Sequence, residues 1–129
     1  MLKKLIKFPI LKRIIPSILI RILKITNKNR GYFKIREIDM YLDFLDPIDR
    51  EIILNKNYEP DEFNYLNSLF EKHNVNVFVD IGANCGYYLF ALSNKQAHLI
   101  GFEPNKEAVI KIEKTFEKND ALKKKNRYL

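Results

Sequence analysis

Between Val77 and Tyr88 the chain reads Val-Phe-Val-Asp-Ile-Gly-Ala-Asn-Cys-Gly-Tyr-Tyr. The hydrophobic run from Val77 to Asp80 ends in an acid and reads as a buried parallel strand. Two glycines follow within six residues, and Tyr87 to Leu92 then suits the opening of a helix. Strand, glycine turn and helix in that order put a nucleotide-like ligand at the carboxyl edge of an α/β sheet. Glycine belongs there because the backbone turns sharply and a Cβ would strike a ligand lying on it.

A second strand is expected across Ala97-His98-Leu99-Ile100-Gly101-Phe102-Glu103-Pro104, again closed by an acid. Glu103 follows Gly86 by seventeen residues. At that place in a doubly wound sheet a carboxylate accepts hydrogen bonds from both hydroxyls of a ribose. The dinucleotide fingerprint would need glycine where Asn84 stands, two residues after Gly82. An adenosyl ligand without phosphates therefore fits this turn better than NAD. A phosphate-binding P-loop is excluded, since no Gly-Lys-Ser/Thr triplet occurs in the chain.

Asp80-Ile81-Gly82-Ala83-Asn84-Cys85-Gly86-Tyr87-Tyr88, followed by Gly101-Phe102-Glu103-Pro104-Asn105, resembles the FkbM-type S-adenosylmethionine-dependent methyltransferases. Tyr58-Glu59-Pro60 and the acidic, aromatic stretch from Ile38 to Leu54 are also similar to what precedes that family's glycine turn. The resemblance spans roughly residues 31–119. It implies a partial Rossmann-like class I methyltransferase fold of the α/β class, holding the first two parallel strands and their helices. It further implies S-adenosyl-L-methionine as cofactor, with Glu103 on the ribose and the turn of Gly82, Ala83, Asn84 and Gly86 along the methionine and ribose. Phe102 or Pro104 would border the adenine. Asp80 would reach the methionine amine through a water or brace the turn, and Glu59 would approach the same end of the cofactor. The implied reaction is methyl transfer to a hydroxyl of a sugar or natural product, so the expected partner is a small-molecule or glycan acceptor. The family's later strands have no counterpart before Leu129, so a truncated product that binds cofactor weakly is the competing expectation.

Each of these residues also has a plain structural reading. Gly82 and Gly86 alone could be ordinary turn glycines, and Glu103 an ordinary acid at a strand end. Asn84 could bond its own turn, Cys85 could pack inside it, and Tyr87 and Tyr88 could pack a helix on the sheet. Glu59 could be an exposed acid at a helix start. His73 and His98 stand alone, without metal-ligand spacing, and read as structural; no metal site is expected.

Charge is unevenly distributed along the 129 residues, whose net charge is +7. Residues 1–30 hold nine Lys/Arg and no acid; residues 31–105 hold six basic and twelve acidic residues; residues 106–129 hold eight and four. The balances of +9, −6 and +4 make the middle of the chain acidic and both ends basic; residues 1–30 read as a basic amphipathic segment, and the resemblance implies that 31–129 is the N-terminal part of a methyltransferase domain. An acidic body argues against a nucleic-acid partner, which would need its basic patch on the folded face. The lone Cys85 excludes an internal disulfide and suits a reducing, cytoplasmic compartment.

Residues 1–25 alternate aliphatic and basic side chains, with Pro9 and Pro16 dividing them. The longest charge-free run, Ile14 to Ile20, is too short to span a bilayer, and no signal peptide is read. Two expectations stand for this segment: a helix on an acidic membrane surface, making the protein membrane-peripheral or even an adaptor, or a helix packed on the protein body. Further on, Tyr32 to Ile38 reads as an edge strand, Asp39 to Leu54 is left open, and Pro60 to Lys72 reads as a helix with Phe63, Leu66, Leu69 and Phe70 on one face. A last helix is expected after Asn105, burying Val109, Ile112 and Phe116, with a tail from Asn119 onward that packs on nothing.

Overall fold

A computed structural model describes residues 18, 20–26 and 28–123. Residues 1–17, 19 and 27 of the basic segment and 124–129 of the tail lie outside the described residues. The described residues are mixed α/β, with two two-stranded sheets.

After a helical stretch at residues 20–26, β1 (Arg30–Ile35) and β2 (Ile38–Asp43) form an antiparallel hairpin. The edge strand expected at Tyr32 to Ile38 is thus two strands joined at Arg36 and Glu37. Arg36, at the first turn position, takes φ 53°, the left-handed conformation that a two-residue hairpin loop demands there. The outer edge of β2 is not left bare. The N–H groups of Asp39, Tyr41 and Asp43, which alternate along that edge, donate to Asn119 Oδ1, Thr115 Oγ1 and Asp49 Oδ2. Side chains from two helices and a helix C-cap thereby satisfy the amides that would otherwise template another strand.

The open stretch after β2 becomes α1 (Pro47–Asn55), capped by Asp46, whose carboxylate accepts from the N–H groups of Ile48 and Asp49. Proline at the first helical position completes an N-terminus legible in the sequence. Next, α2 (Pro60–Lys72) forms as expected, but of its apolar stripe only Phe63 is fully buried.

The second sheet pairs β3 (Val77–Ile81) and β4 (His98–Phe102) in parallel, Val77 opposite His98 and Ile81 opposite Phe102. The short helix α3 (Tyr87–Ala91) lies in the crossover between them. The expectation of buried strands is corrected on one face. Phe78, Asp80, Leu99 and Gly101 turn inward, whereas Val77, Val79, Ile81 and Phe102 are about half exposed or more. Alternation along a strand puts the second set on the opposite face, where nothing in the described chain covers it.

Last come α4 (Lys106–Lys118) and a single turn, α5 (Asp120–Lys123). The buried face of α4 is Ala108, Lys111, Ile112 and Thr115, while Val109 and Phe116 are only half-buried. The tail does find partners. Asn119 donates from Nδ2 to the Asp39 and Thr115 carbonyls, and Leu122 joins the core. That core runs from Ile35, Met40 and Leu42 of the hairpin through Ile52 to Phe90, Leu99 and Ile112, and so joins the two sheets.

Candidate functional site

At the carboxyl end of β3 the backbone reverses over β4. Gly82 and Ala83 both donate from their N–H groups to the Phe102 carbonyl, at 2.8 and 3.1 Å. Gly82 has φ 82°, Asn84 φ 49° and Gly86 φ 78°. The two glycines are needed for different reasons. A Cβ on Gly82 would meet nothing within 4 Å, so its requirement is the backbone angle, and the space above it is open. A Cβ on Gly86 would lie 2.7 Å from Phe90 Cε2 and 3.2 Å from Ile112 Cγ1. Gly86 therefore seats the start of α3 against α4. Gly101 plays a similar packing part in β4, where a Cβ would come within 2.6 Å of Leu89 Cδ1.

Glu103 ties the turn to the next element. Its Oε2 accepts the Asn84 N–H at 2.7 Å, and its Oε1 accepts the Asn105 N–H at 2.8 Å. Asn105 in turn caps α4 by accepting from the Glu107 N–H. A carboxylate offers about four lone-pair sites, so each oxygen keeps room for one further donor.

Asp80, ending the inward face of β3, presents Oδ2 buried and without a hydrogen-bond partner among the described residues. Burial pushes its carboxyl above the usual range, and the charge of Glu103 adds to the shift. An acceptor so placed is expensive to leave unpaired, and the buried Asp49 Oδ1 shares that condition among the described residues.

Asp80 opens onto a cavity of about 270 Å³ with Gly82, Ala83 and Asn84 in its wall. Opposite them stand Tyr58, Glu59 and Tyr88. The Tyr88 hydroxyl donates to Glu59 Oε2 at 2.8 Å. Burial, followed by that bond and the charge of Glu59, pushes the Tyr88 hydroxyl well up, and burial with the same charge raises Tyr58. Glu59 holds φ 42° just before Pro60, a conformation disfavoured for a residue in that position. Among the described residues the wall carries two carboxylates and three tyrosines but no lysine, arginine or histidine.

Of the expected site residues, Asp80, Gly82, Ala83 and Asn84 line this cavity together. Glu103 adjoins it through the Asn84 amide. Gly86 lies beneath it, and Phe102 and Pro104 are exposed beside it rather than in its wall. Ile48 is a lining residue that sequence reasoning missed, because it reaches the turn only through the folding of α1. Cys85 is buried, and its thiol is pushed out of the physiological range by burial and the negative charge of Asp49. Neither histidine is buried. A larger groove of about 350 Å³, between the hairpin turn and the end of α3, shares Tyr87 with this cavity but no other residue.

Behind the turn lies a charged core that no local pattern announced. Lys111 Nζ sits 2.7 Å from Asp49 Oδ2 and 3.3 Å from Asp46 Oδ2, with Asp49 fully buried. Burial works against the charge on Lys111, but the two carboxylates outweigh it and hold the amine protonated. This pairing anchors α1 to α4 under Cys85.

Among the described residues no group of three His, Cys, Asp or Glu side chains is placed to hold a metal ion, and no helix is long and apolar enough to cross a membrane. No protein-family model matches the chain, and no match to it was found among curated proteins or solved structures.

Proposed function

We propose that the chain binds S-adenosylmethionine over the turn from Gly82 to Asn84 and serves methyl transfer to a hydroxyl acceptor, a sugar or another small molecule. The observation that carries this reading is the buried, unpartnered Oδ2 of Asp80 in a cavity walled by acids and tyrosines. Such a wall suits a ligand bearing an ammonium and a sulfonium, both drawn to carboxylates and aromatic faces. It repels phosphates, which disfavours a dinucleotide. Asp80 would accept from the methionine ammonium, directly or through a water. Glu103, already oriented by two backbone amides, would accept from the ribose hydroxyls with its remaining lone pairs. The open space over Gly82 would admit the ligand backbone.

The bound cofactor supplies a methyl group already activated by the sulfonium. The residues of this chain contribute binding, orientation and charge, which is where catalysis of such a transfer chiefly lies. The fold in this reading is the opening part of a Rossmann-like methyltransferase domain, working in a reducing cytoplasmic compartment that keeps Cys85 a thiol.

A second reading is favoured by the bare face of Val77, Val79, Ile81 and Phe102. Parallel sheets are ordinarily covered on both faces. On this reading the 129 residues alone hold a cofactor half-site that binds weakly and transfers nothing.

Calorimetric titration of S-adenosylmethionine into the full chain tests the proposal, beside Glu103→Ala and Asp80→Asn. Saturable binding, weakened at least about tenfold in either variant, is expected, since hydrogen bonds to charged groups contribute about 1.5–3 kcal/mol each. A folded chain that binds no cofactor overturns it. Methyl release to an acceptor, measured with labelled cofactor, separates the first reading from the second.

A further inference from the structure

The helical stretch before β1 faces two ways. At about 100° per residue, Ile18, Ile22 and Ile25 fall within roughly 60° of arc, and Ile20 and Leu23 lie on the opposite side. Ile20 and Leu23 are partly buried against the core. Ile18, Ile22 and Ile25 are 53%, 51% and 83% exposed. An ordinary surface helix would carry its polar residues there. Arg21 and Lys24 flank the isoleucine stripe on one side, both exposed and neither in an ion pair among the described residues.

What covers the stripe is indicated by charge. The first thirty residues hold nine cations and no acid, and the body that follows is acidic. Of these cations Arg30 is tied to Asp43 and Glu107, while Arg21, Lys24 and Lys28 remain exposed. An outward apolar stripe beside exposed cations matches a helix lying in the interface of an anionic bilayer, with the isoleucines among the acyl chains and the cations at the headgroups. A second protein surface would be expected to meet the stripe without so uniform an excess of positive charge.

We propose that this protein docks on anionic membrane surfaces through Ile18, Ile22 and Ile25, with Arg21 and Lys24 on the lipid headgroups. The contact orients the body on the bilayer and is independent of the cofactor cavity.

Co-sedimentation of the full chain with vesicles tests it. Expected are binding to mixed phosphatidylcholine and phosphatidylglycerol vesicles, little binding to phosphatidylcholine alone, and release by high salt. Arg21→Ala with Lys24→Ala should weaken binding by roughly fivefold per cation removed. Ile18→Asp, Ile22→Asp and Ile25→Asp combined should abolish it while circular dichroism and molecular mass stay unchanged. Absence of binding to anionic vesicles, or binding that survives the isoleucine changes, overturns the proposal. So does a dimer that the triple variant converts to monomer, which would make the stripe a contact between copies.

Discussion

The backbone N–H of Asn84 donates to Glu103 Oε2 at 2.7 Å, joining the glycine turn after β3 to the acid that closes β4. Glu103 is therefore a brace for the turn. Its second oxygen holds the Asn105 N–H and so positions the start of α4. Glu103→Ala is expected to act on both levels, lowering stability by about 1–3 kcal/mol through two stranded amides and weakening cofactor binding at least tenfold. Urea denaturation beside calorimetric titration reads the two effects separately. Unchanged stability would show that water replaces the carboxylate on both amides.

Asp80 predicts a conflict between stability and binding. Its carboxyl is raised by burial and by Glu103. For a group whose folded pKa lies above the unfolded value, the associated stability is full at low pH and is lost as pH rises through the folded pKa. Asp80→Asn should therefore stabilise the cofactor-free protein by about 1 kcal/mol near neutral pH, and the advantage should vanish as pH falls below the folded pKa. The same variant should lose affinity for S-adenosylmethionine. Thermal melts across acidic to neutral pH test the first part; an advantage that grows on acidification would contradict the assignment.

The two turn glycines should separate under substitution. Gly82→Ala meets only the unfavourable left-handed angle, about 1–2 kcal/mol, because its Cβ points into open space. Gly86→Ala adds a clash with Phe90 and Ile112, and overpacking of that kind costs about 1–3 kcal/mol more. Gly86→Ala is thus the less stable variant. Under the proposed function, Gly82→Ala is expected to lose S-adenosylmethionine binding while still folded. Equal destabilisation would count against the packing role of Gly86.

The Lys111–Asp49 pair is expected to be costly to break and cheap to replace. Lys111→Met leaves the Asp49 carboxylate buried beside Cys85 without its cation and should cost about 3–5 kcal/mol. Adding Asp49→Leu should recover a large part of that loss, since a well-packed apolar pair is often as stable as a buried ion pair. Asp49 also accepts the Asp43 N–H, so recovery should stop short of completion. Guanidinium denaturation of the two variants gives the comparison.

Acid should loosen the hairpin from its supports. Burial alone would raise the Asp43 carboxyl, but Asn29, the Leu45 amide and Arg30 together hold it below the usual carboxylate range. Stability from a lowered pKa is present above the unfolded value and is lost as pH falls through the folded one. Asp43→Asn should therefore flatten the acid limb of the stability curve below about pH 4. A limb that keeps its steepness would place the responsible carboxylates elsewhere.

What the sequence alone determined is local. The run from Val77 to Asp80, the glycines at 82 and 86, the proline and acids opening α2 and the Asn105 cap specify strand, turn and helix starts through backbone angles and nearby hydrogen bonds. Those preferences act over a few residues and leave a readable pattern. The tertiary structure decided everything that depended on distant partners. Thr115 caps the Tyr41 amide across 74 positions, Lys111 meets Asp49 across 62, and Glu59 turns toward Tyr88 across 29. The same is true of which face of the β3–β4 sheet was covered. The sequence read Val77 to Asp80 as a buried strand, yet Val77, Val79 and Ile81 are exposed on one face, because hydrophobicity is non-directional and does not name the surface that buries it.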